Sequence, residues 1–385
     1  MENVQSSYGA KTIPANQVKS LLVVGPLPPP IGGAPATVKE ILDELANDPS
    51  YKISIINSSP ATDPREQVDG FNFEKAYRFI KLIFAFYRQL LNNEAVLIFA
   101  NNLFAFVILP FLLIPSKLFR KLFFVKPIGG DLDVWLDLQR EPLRSYFTVL
   151  LRSVDGILSQ TRLLQRSLQK SGCKNVYYLP GCRTAVEASS PVQKPFDEFK
   201  IIFLAHINKE KGALILLRAL QKLSTISSVK IKCDFYGPVY KIIEKDFFCL
   251  IDEISTANYC GVIEVGSGVR LIANYDTLVL PTCFEHEGHP GVLIEAMHAS
   301  IPVISTLHRA IPELVTDGEN GLLVPINDAD ALAEAIKRLA EDRELCSKLG
   351  KANHDRGEEF RTQVVVAKLK GIIFPSKQLN TSPHV

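Results

Sequence analysis

The stretch Phe284-Glu285-His286-Glu287-Gly288-His289-Pro290-Gly291-Val292-Leu293-Ile294-Glu295-Ala296-Met297 decides the architecture. It follows an apolar run, Leu278–Pro281, that reads as a strand. Pro290 then opens a helix well, because the N–H it lacks goes unpaired in a first turn anyway. Strand, loop and helix in that order make one βα unit. A helix start at Gly291–Leu293 leaves backbone N–H groups free, and with the macrodipole they suit a phosphate. Glu295 has Val292, Leu293, Ile294, Ala296, Met297 and Ala299 around it, so its carboxylate is expected to be buried or to line a cleft. A buried carboxylate needs a partner; a ligand's ribose diol, a structural salt bridge and a helix cap all qualify. Glu287, in the loop, reads by itself as an ordinary solvated acid.

Outward from this unit the same alternation continues, short β-branched runs separated by helical-period stretches, which is the pattern of a parallel sheet with helices on its faces. Strands are predicted at Leu21–Gly25, Ile53–Asn57, Val96–Ala100, Leu122–Val125, Gly156–Ser159 and Val176–Leu179. A second set follows at Ile201–Ala205, Val229–Tyr236, Leu278–Pro281 and Pro302–Ser305. Between the sets, Thr184–Phe199 is polar, carries Pro191 and Pro195, and has no periodicity, as a linker does. The chain of 385 residues, 47% hydrophobic and 22% charged, has room for two such domains and excludes a disordered or coiled-coil protein. An α/β protein of two doubly wound domains is therefore expected, residues 1–190 and 191–359, facing across a cleft with ligands at the strands' carboxyl ends.

Charge excludes bulk nucleic-acid binding, since 43 Lys and Arg stand against 41 Asp and Glu. The halves differ, with 21 basic against 16 acidic residues in 1–190 and 22 against 25 in the remainder. Seven scattered cysteines, never in a CxxC pair, fit reduced thiols in cytoplasm. The first twenty residues lack a secretory layout, and the longest apolar run, Leu103–Pro115, has 13 residues against the roughly 20 of a spanning helix. His286 and His289 are three apart, not the four of a zinc-protease helix, and Gly266-Ser267-Gly268 lacks a dinucleotide fingerprint. Neither a catalytic metal nor a resident cofactor is expected.

Three further loops follow predicted strands. His206-Ile207-Asn208-Lys209-Glu210-Lys211-Gly212 places Lys211 at a strand-to-helix turn, where an ammonium could clamp a diphosphate or simply face solvent. Gly32 and Gly33 precede a helix expected near Thr37 and permit close backbone approach to a phosphate or sugar; the alternative is a structural turn. Pro127-Ile128-Gly129-Gly130-Asp131 offers Asp131 either as a hydrogen-bonding group or as a cap of the next helix.

The Glu-Gly-x-Pro run ending in Glu-Ala-Met, with seven residues between Glu287 and Glu295, resembles the signature of the retaining GT-B glycosyltransferases that use nucleotide-diphosphate sugars, the glycosyl transferases group 1 family. Ile301–Ser305, Ile311–Val315 and Asp317–Val324 continue the resemblance, which is close over about 70 residues and loose over the rest. It implies two Rossmann-like domains, acceptor-binding then nucleotide-binding, with the last helix after about Phe360 (360–385) crossing back onto the first. It implies that Glu287 contacts donor sugar hydroxyls, that Glu295 holds the ribose, and that Gly288, Gly291, Val292 and Leu293 meet the diphosphate beside Lys211. The segment around Lys211 has His206 where the family usually has arginine. Gly32 and Gly33 resemble the glycine loop that closes over the donor. The Asp131 segment resembles the one reaching the reacting sugar, with Ile128 where histidine is usual. The implied activity is transfer from a UDP- or GDP-sugar to a glycan or lipid-linked acceptor in bacterial surface polysaccharide synthesis, without a catalytic metal. A GT-B epimerase or phosphorylase, or a non-catalytic sugar-nucleotide binder or assembly partner, would share the fold.

Between Lys75 and Lys126 stand eight basic residues and one acid, interleaved with twelve aromatics. Such a mixture suits an anionic bilayer surface, and equally a core with charges on its outside. The expected location is cytoplasmic, peripheral at the inner face of the membrane.

Overall fold

The computed structural model describes residues 18–29, 32–59, 73–185, 198–226, 229–264 and 266–375. The first half runs β1 (Lys19–Gly25), α1 (Gly33–Ala46), β2 (Tyr51–Asn57), α2 (Phe73–Leu90), β3 (Ala95–Ala100), α3 (Asn102–Leu118), β4 (Leu122–Pro127), α4 (Leu132–Leu138), α5 (Leu143–Ser153), β5 (Gly156–Ser159), α6 (Arg162–Lys170) and β6 (Val176–Tyr178). The second runs β7 (Glu198–Leu204), α7 (Ala213–Ile226), β8 (Lys230–Tyr236), α8 (Lys241–Glu253), β9 (Ala257–Tyr259), α9 (Gly268–Ile272), β10 (Thr277–Leu280), α10 (Gly291–His298), β11 (Val303–Thr306), β12 (Gly321–Val324), α11 (Ala329–Glu341), α12 (Arg343–Gly357) and α13 (Thr362–Ile373).

Two parallel six-stranded sheets result, ordered β2-β1-β3-β4-β5-β6 and β12-β11-β10-β7-β8-β9. Helices cover both faces of each, so central strands are apolar at successive positions rather than alternating; all six residues of β3 are buried. The strand order reverses between β1 and β3 in the first sheet and between β7 and β10 in the second. Such switch points open a crevice at the carboxyl edge. In the second sheet the loops after β7 and β10, carrying Lys211 and Glu287, flank it.

The chain crosses between the sheets twice, and the two crossings pair. Arg183 and Arg361 form a parallel bridge, with the Arg183 amide donating to the Phe360 carbonyl at 3.1 Å and the Thr362 amide to the Arg183 carbonyl at 3.2 Å. Past this point α13 buries Val365, Val366, Leu369 and Ile373 in the core that Val38, Ile41 and Leu42 of α1 share with the first sheet. Lys370 pairs with Asp48 at 2.7 Å and, with Ser50, holds the Asp48 carboxyl down at about 2.

Several boundaries differ from the sequence reading. Two strands were not foreseen, β9 and β12, of three and four residues. α1 begins at Gly33, not near Thr37, because Pro35 sits in its first turn, where no amide is missed. β7 starts at Glu198 and so takes the end of the proposed linker; residues 186–197 lie outside the described residues. Of the basic and aromatic segment, Phe86, Phe123 and Phe124 are core residues, and Lys126 is buried with its Nζ donating to the Leu179 carbonyl at 2.7 Å. Burial pushes that ammonium down to about 8. The side chain of Lys75 lies outside the described residues.

What remains outside is nevertheless apolar. α2 buries Leu82, Phe86 and Leu90 yet exposes Tyr77, Ile80, Phe84 and Tyr87 on its other face, and α3 exposes Leu103, Val107, Phe111, Ile114 and Leu118. Phe79 and Phe111 meet edge to face at 5.5 Å and join the two helices. Lys81, Arg88, Lys117 and Arg120 are exposed on the same pair of helices or immediately after them.

Candidate active site

A cavity of about 850 Å³ opens where the carboxyl ends of the two sheets face each other. Gly32, Gly33, His206, Lys211, Glu287, Gly288, Gly291, Val292 and Glu295 all line it, so residues from three loops and one helix that were singled out separately converge on one space. In its lining, Lys211 Nζ lies 2.6 Å from Glu287 Oε2, which also accepts from Thr282 Oγ1 at 2.9 Å. The Lys211 ammonium sits 4.6 Å from the centre of the Phe284 ring. Gly212, next to it, has φ +81°, and a β-carbon there would overlap the Pro281 carbonyl. Only glycine lets the β7 and β10 loops approach this closely. The loop acid is therefore a buried, paired carboxylate and not a solvated one.

Glu295 is met by Arg183, whose Nε donates to Oε1 at 2.8 Å. Burial pushes the Glu295 carboxyl up, and the adjacent guanidinium holds it back. The structural salt bridge is thus realised, and it is made within the cavity lining, where a ligand could compete for it. Gly291 and Val292 begin α10 there. Leu293 does not line the cavity, being fully buried with its amide donating to the Pro290 carbonyl at 3.1 Å.

Asp131 does not line the cavity either. It stands at the start of α4 but makes no capping bond; it accepts instead from Asn102 Nδ2 at 2.9 Å and meets His286 Nδ1 at 2.5 Å. Its hydrogen-bonding role is the one the structure shows, and it reaches the cavity only through His286, which does line it. His206 Nδ1 lies 3.0 Å from the Tyr240 hydroxyl.

Arg183 and His286 are the cavity residues that sequence reasoning missed in these roles. His286 lay inside the quoted segment but was weighed only as a metal ligand, and nothing local marks Arg183. Two more ties across the cleft were also unforeseen. Glu313 accepts from the amides of Arg162 and Leu163 at the start of α6, both at 2.7 Å, and Arg309 Nη2 reaches the Gly130 carbonyl at 2.6 Å and Asp133 at 3.2 Å. Burial would raise the Glu313 carboxyl, but His289 and those two amides outweigh it and hold it below the usual range. Among the described residues no group of three or more His, Cys, Asp or Glu could hold a metal ion, and no helix is long and apolar enough to cross a membrane.

Two Rossmann-like domains with parallel sheets, facing a cleft lined from both, define a GT-B fold. Solved structures agree: sucrose-phosphate synthase from Thermosynechococcus elongatus superposes with a TM-score of 0.73 over 92% of this chain and 98% of its own, at 16% identity. Anabaena HepE in complex with UDP and glucose superposes at 0.69 over 91% and 98%, at 14% identity. Residues 187–356 match the family described as Glycosyl transferases group 1. A relative from Escherichia coli K12, assigned as colanic acid biosynthesis glycosyltransferase WcaL, is 30% identical over 252 residues. That match spans 61% of each chain, less than two thirds of the relative's length.

Proposed function

We propose that this protein transfers a sugar, with retention, from a UDP- or GDP-sugar to a glycan or lipid-linked acceptor in bacterial surface polysaccharide synthesis. The observation that carries this is the Lys211–Glu287 pair, 2.6 Å apart at the switch point of the second sheet, in one cavity with Glu295 and the start of α10. The match of residues 187–356 to Glycosyl transferases group 1, and the similarity to a relative assigned to colanic acid synthesis, support the same reading.

In this reading Glu287 orients the donor sugar, Glu295 holds the ribose diol, and Gly32 and Gly33 let the first domain approach the donor. When the anomeric C–O bond breaks, the diphosphate leaves with the electron pair, and the acceptor hydroxyl oxygen bonds to the anomeric carbon and gives its proton to the leaving phosphate. Lys211 and the amides of Gly291 and Val292 stabilise the charge growing on that group, so no metal is required. Asp131 acts as a positioning residue, fixing the ring of His286 beside Glu287.

Calorimetric titration of the full chain with UDP and GDP tests the donor site. One nucleotide is expected to bind, and Glu295→Ala and Lys211→Ala each to weaken it by about 1–3 kcal/mol, the cost of a lost charge-assisted bond. Absence of binding at millimolar concentration sinks the reading in favour of an assembly role. Turnover of donor without any acceptor would instead indicate an epimerase.

The acceptor reading adds a surface. The apolar stripes of α2 and α3, with Lys81, Arg88, Lys117 and Arg120, suit the cytoplasmic face of an anionic bilayer, each basic residue contributing on the order of 1 kcal/mol near the lipid. Co-sedimentation with phosphatidylglycerol vesicles, lost in Ile80→Asp/Phe84→Asp and absent with phosphatidylcholine vesicles, is the expected result.

A further inference from the structure

Position 206, where the resemblance would place an arginine, holds a histidine whose ring lies tilted against that of Tyr240, 5.6 Å between centroids. The guanidinium of the cavity comes from elsewhere, from Arg183 at the crossing between the domains. Its backbone is fixed on several sides, since beyond the pairing with Phe360 and Thr362 its carbonyl accepts from His298 Nε2 at 3.2 Å. Its side chain is 8% exposed. Nε is used by Glu295, and Nη1 donates to Thr37 Oγ1 at 2.6 Å and to the Cys182 carbonyl at 2.9 Å.

Nη2 donates to nothing among the described residues. It points at the first turn of α10, where a β-carbon on Gly291 would overlap it, and it lies 3.9 Å from where a β-carbon on Gly33 would sit in the first turn of α1. Two helix N-termini, one from each domain, thus converge with a buried guanidinium whose free edge faces the cavity between them. Helix starts favour anions through their unpaired amides and dipole, and a planar guanidinium suits phosphate oxygens. The neighbouring acids, Glu295 at 2.8 Å and Glu40 at 3.9 Å, both approach through Nε and leave the Nη2 edge open.

We propose that Arg183 is a diphosphate-binding residue of the donor site, clamping the phosphates between the first turns of α1 and α10 and supplying from the domain crossing the guanidinium that position 206 lacks. This rests on the donor reading above. Because the residue is anchored to both crossings, phosphates held there engage both domains at once.

The test is titration of the full chain with UDP, UMP, uridine, the guanine series and inorganic pyrophosphate, for wild type, Arg183→Gln and Arg183→Lys, with thermal melting of each. Arg183→Gln is expected to weaken the bound nucleoside diphosphate and pyrophosphate at least tenfold while changing nucleoside binding less than twofold. Arg183→Lys keeps the charge that faces Glu295 and should fold as wild type, yet recover only part of the diphosphate affinity, because an ammonium is a point charge. It decides the matter if the glutamine variant does not fold. Equal weakening of diphosphate, monophosphate and nucleoside, or no weakening of any, overturns the proposal while leaving the donor reading in place. Pyrophosphate binding that depends on Arg183, with no nucleotide bound, upholds the anion site and removes the donor reading; a wild type that binds none of the probes removes both.

Discussion

Lys211 and Glu287 neutralise each other where bulk water hardly reaches, with side-chain exposures of 18% and 8%. Replacing one charge strands the other, a loss that costs about 3–5 kcal/mol at a fully buried site and less here, where the lysine retains some water. Glu287→Gln keeps the shape and the Thr282 bond, so we expect a modest drop in melting temperature and a fall in turnover of about a hundredfold or more, seen in a donor-consumption assay; unchanged turnover would remove Glu287 from the chemistry. His298 makes a separate prediction. Burial pushes its imidazole down to about 4 from 6.5, so between those values the unfolded chain binds more protons than the folded one. Stability is then fully present above pH 6.5 and is lost as pH falls toward 4, by about 2–3 kcal/mol. Urea midpoints at pH 7 and pH 5 should show it, and His298→Gln should flatten the difference. At this scale the sequence disclosed the residues next to the motif, Glu287, Gly291 and Glu295, because one loop and one helix carry them. Arg183 and the His286–Asp131 pair were hidden, since the latter are 155 residues apart and meet only when two independent sheets dock.

Elements were readable in proportion to their length and their buried run. The six apolar residues of β3 announce a strand without help, whereas β9 and β12 are held by their neighbours. β12 pairs Gly321–Val324 with Val303–Thr306 and has no β-branched run of its own. Helix starts depended on turn chemistry: a pair of glycines argues against a helix by propensity, yet Gly33 opens α1. The packing of α13 is a tertiary property that its own 12 residues do not reveal. Its energetics are testable. Leu369 is fully buried in the core shared with α1, so Leu369→Ala should cost about 2–5 kcal/mol through lost burial and cavity formation. Lys370→Ala, which removes a partly exposed pair, should cost no more than about 1 kcal/mol. Urea unfolding of both variants checks the order; similar costs would mean that α13 is held by its charge and not by its apolar face.

Across the whole molecule, the two domains are tied by groups that each borrow something the other lacks. α6 has Thr161 to cap the amide of Leu164 but nothing of its own for the amides of Arg162 and Leu163, and Glu313 of the second domain supplies both acceptors. A carboxylate at a helix start is favoured by the dipole as well as by the bonds, which makes Glu313 a tie between the two domains. Neither helix signal nor motif could show this, because the donor and acceptor elements are complete without each other and only the docking angle joins them. Glu313→Ala removes two charge-assisted bonds from a partly exposed carboxylate, about 1–3 kcal/mol in total after water competes for the freed amides. If the cleft opens and closes, a loss of that size shifts the equilibrium toward the open form by about five- to a hundredfold. Small-angle scattering should then report a larger radius of gyration for the variant without nucleotide, and a smaller one when the donor nucleotide is added, since the phosphates would draw α1 and α10 back together. If the variant scatters as wild type in both states, Glu313 is a local cap, and the domains are held by the crossing at Arg183 and Arg361 together with the Arg309–Gly130 and His286–Asp131 ties.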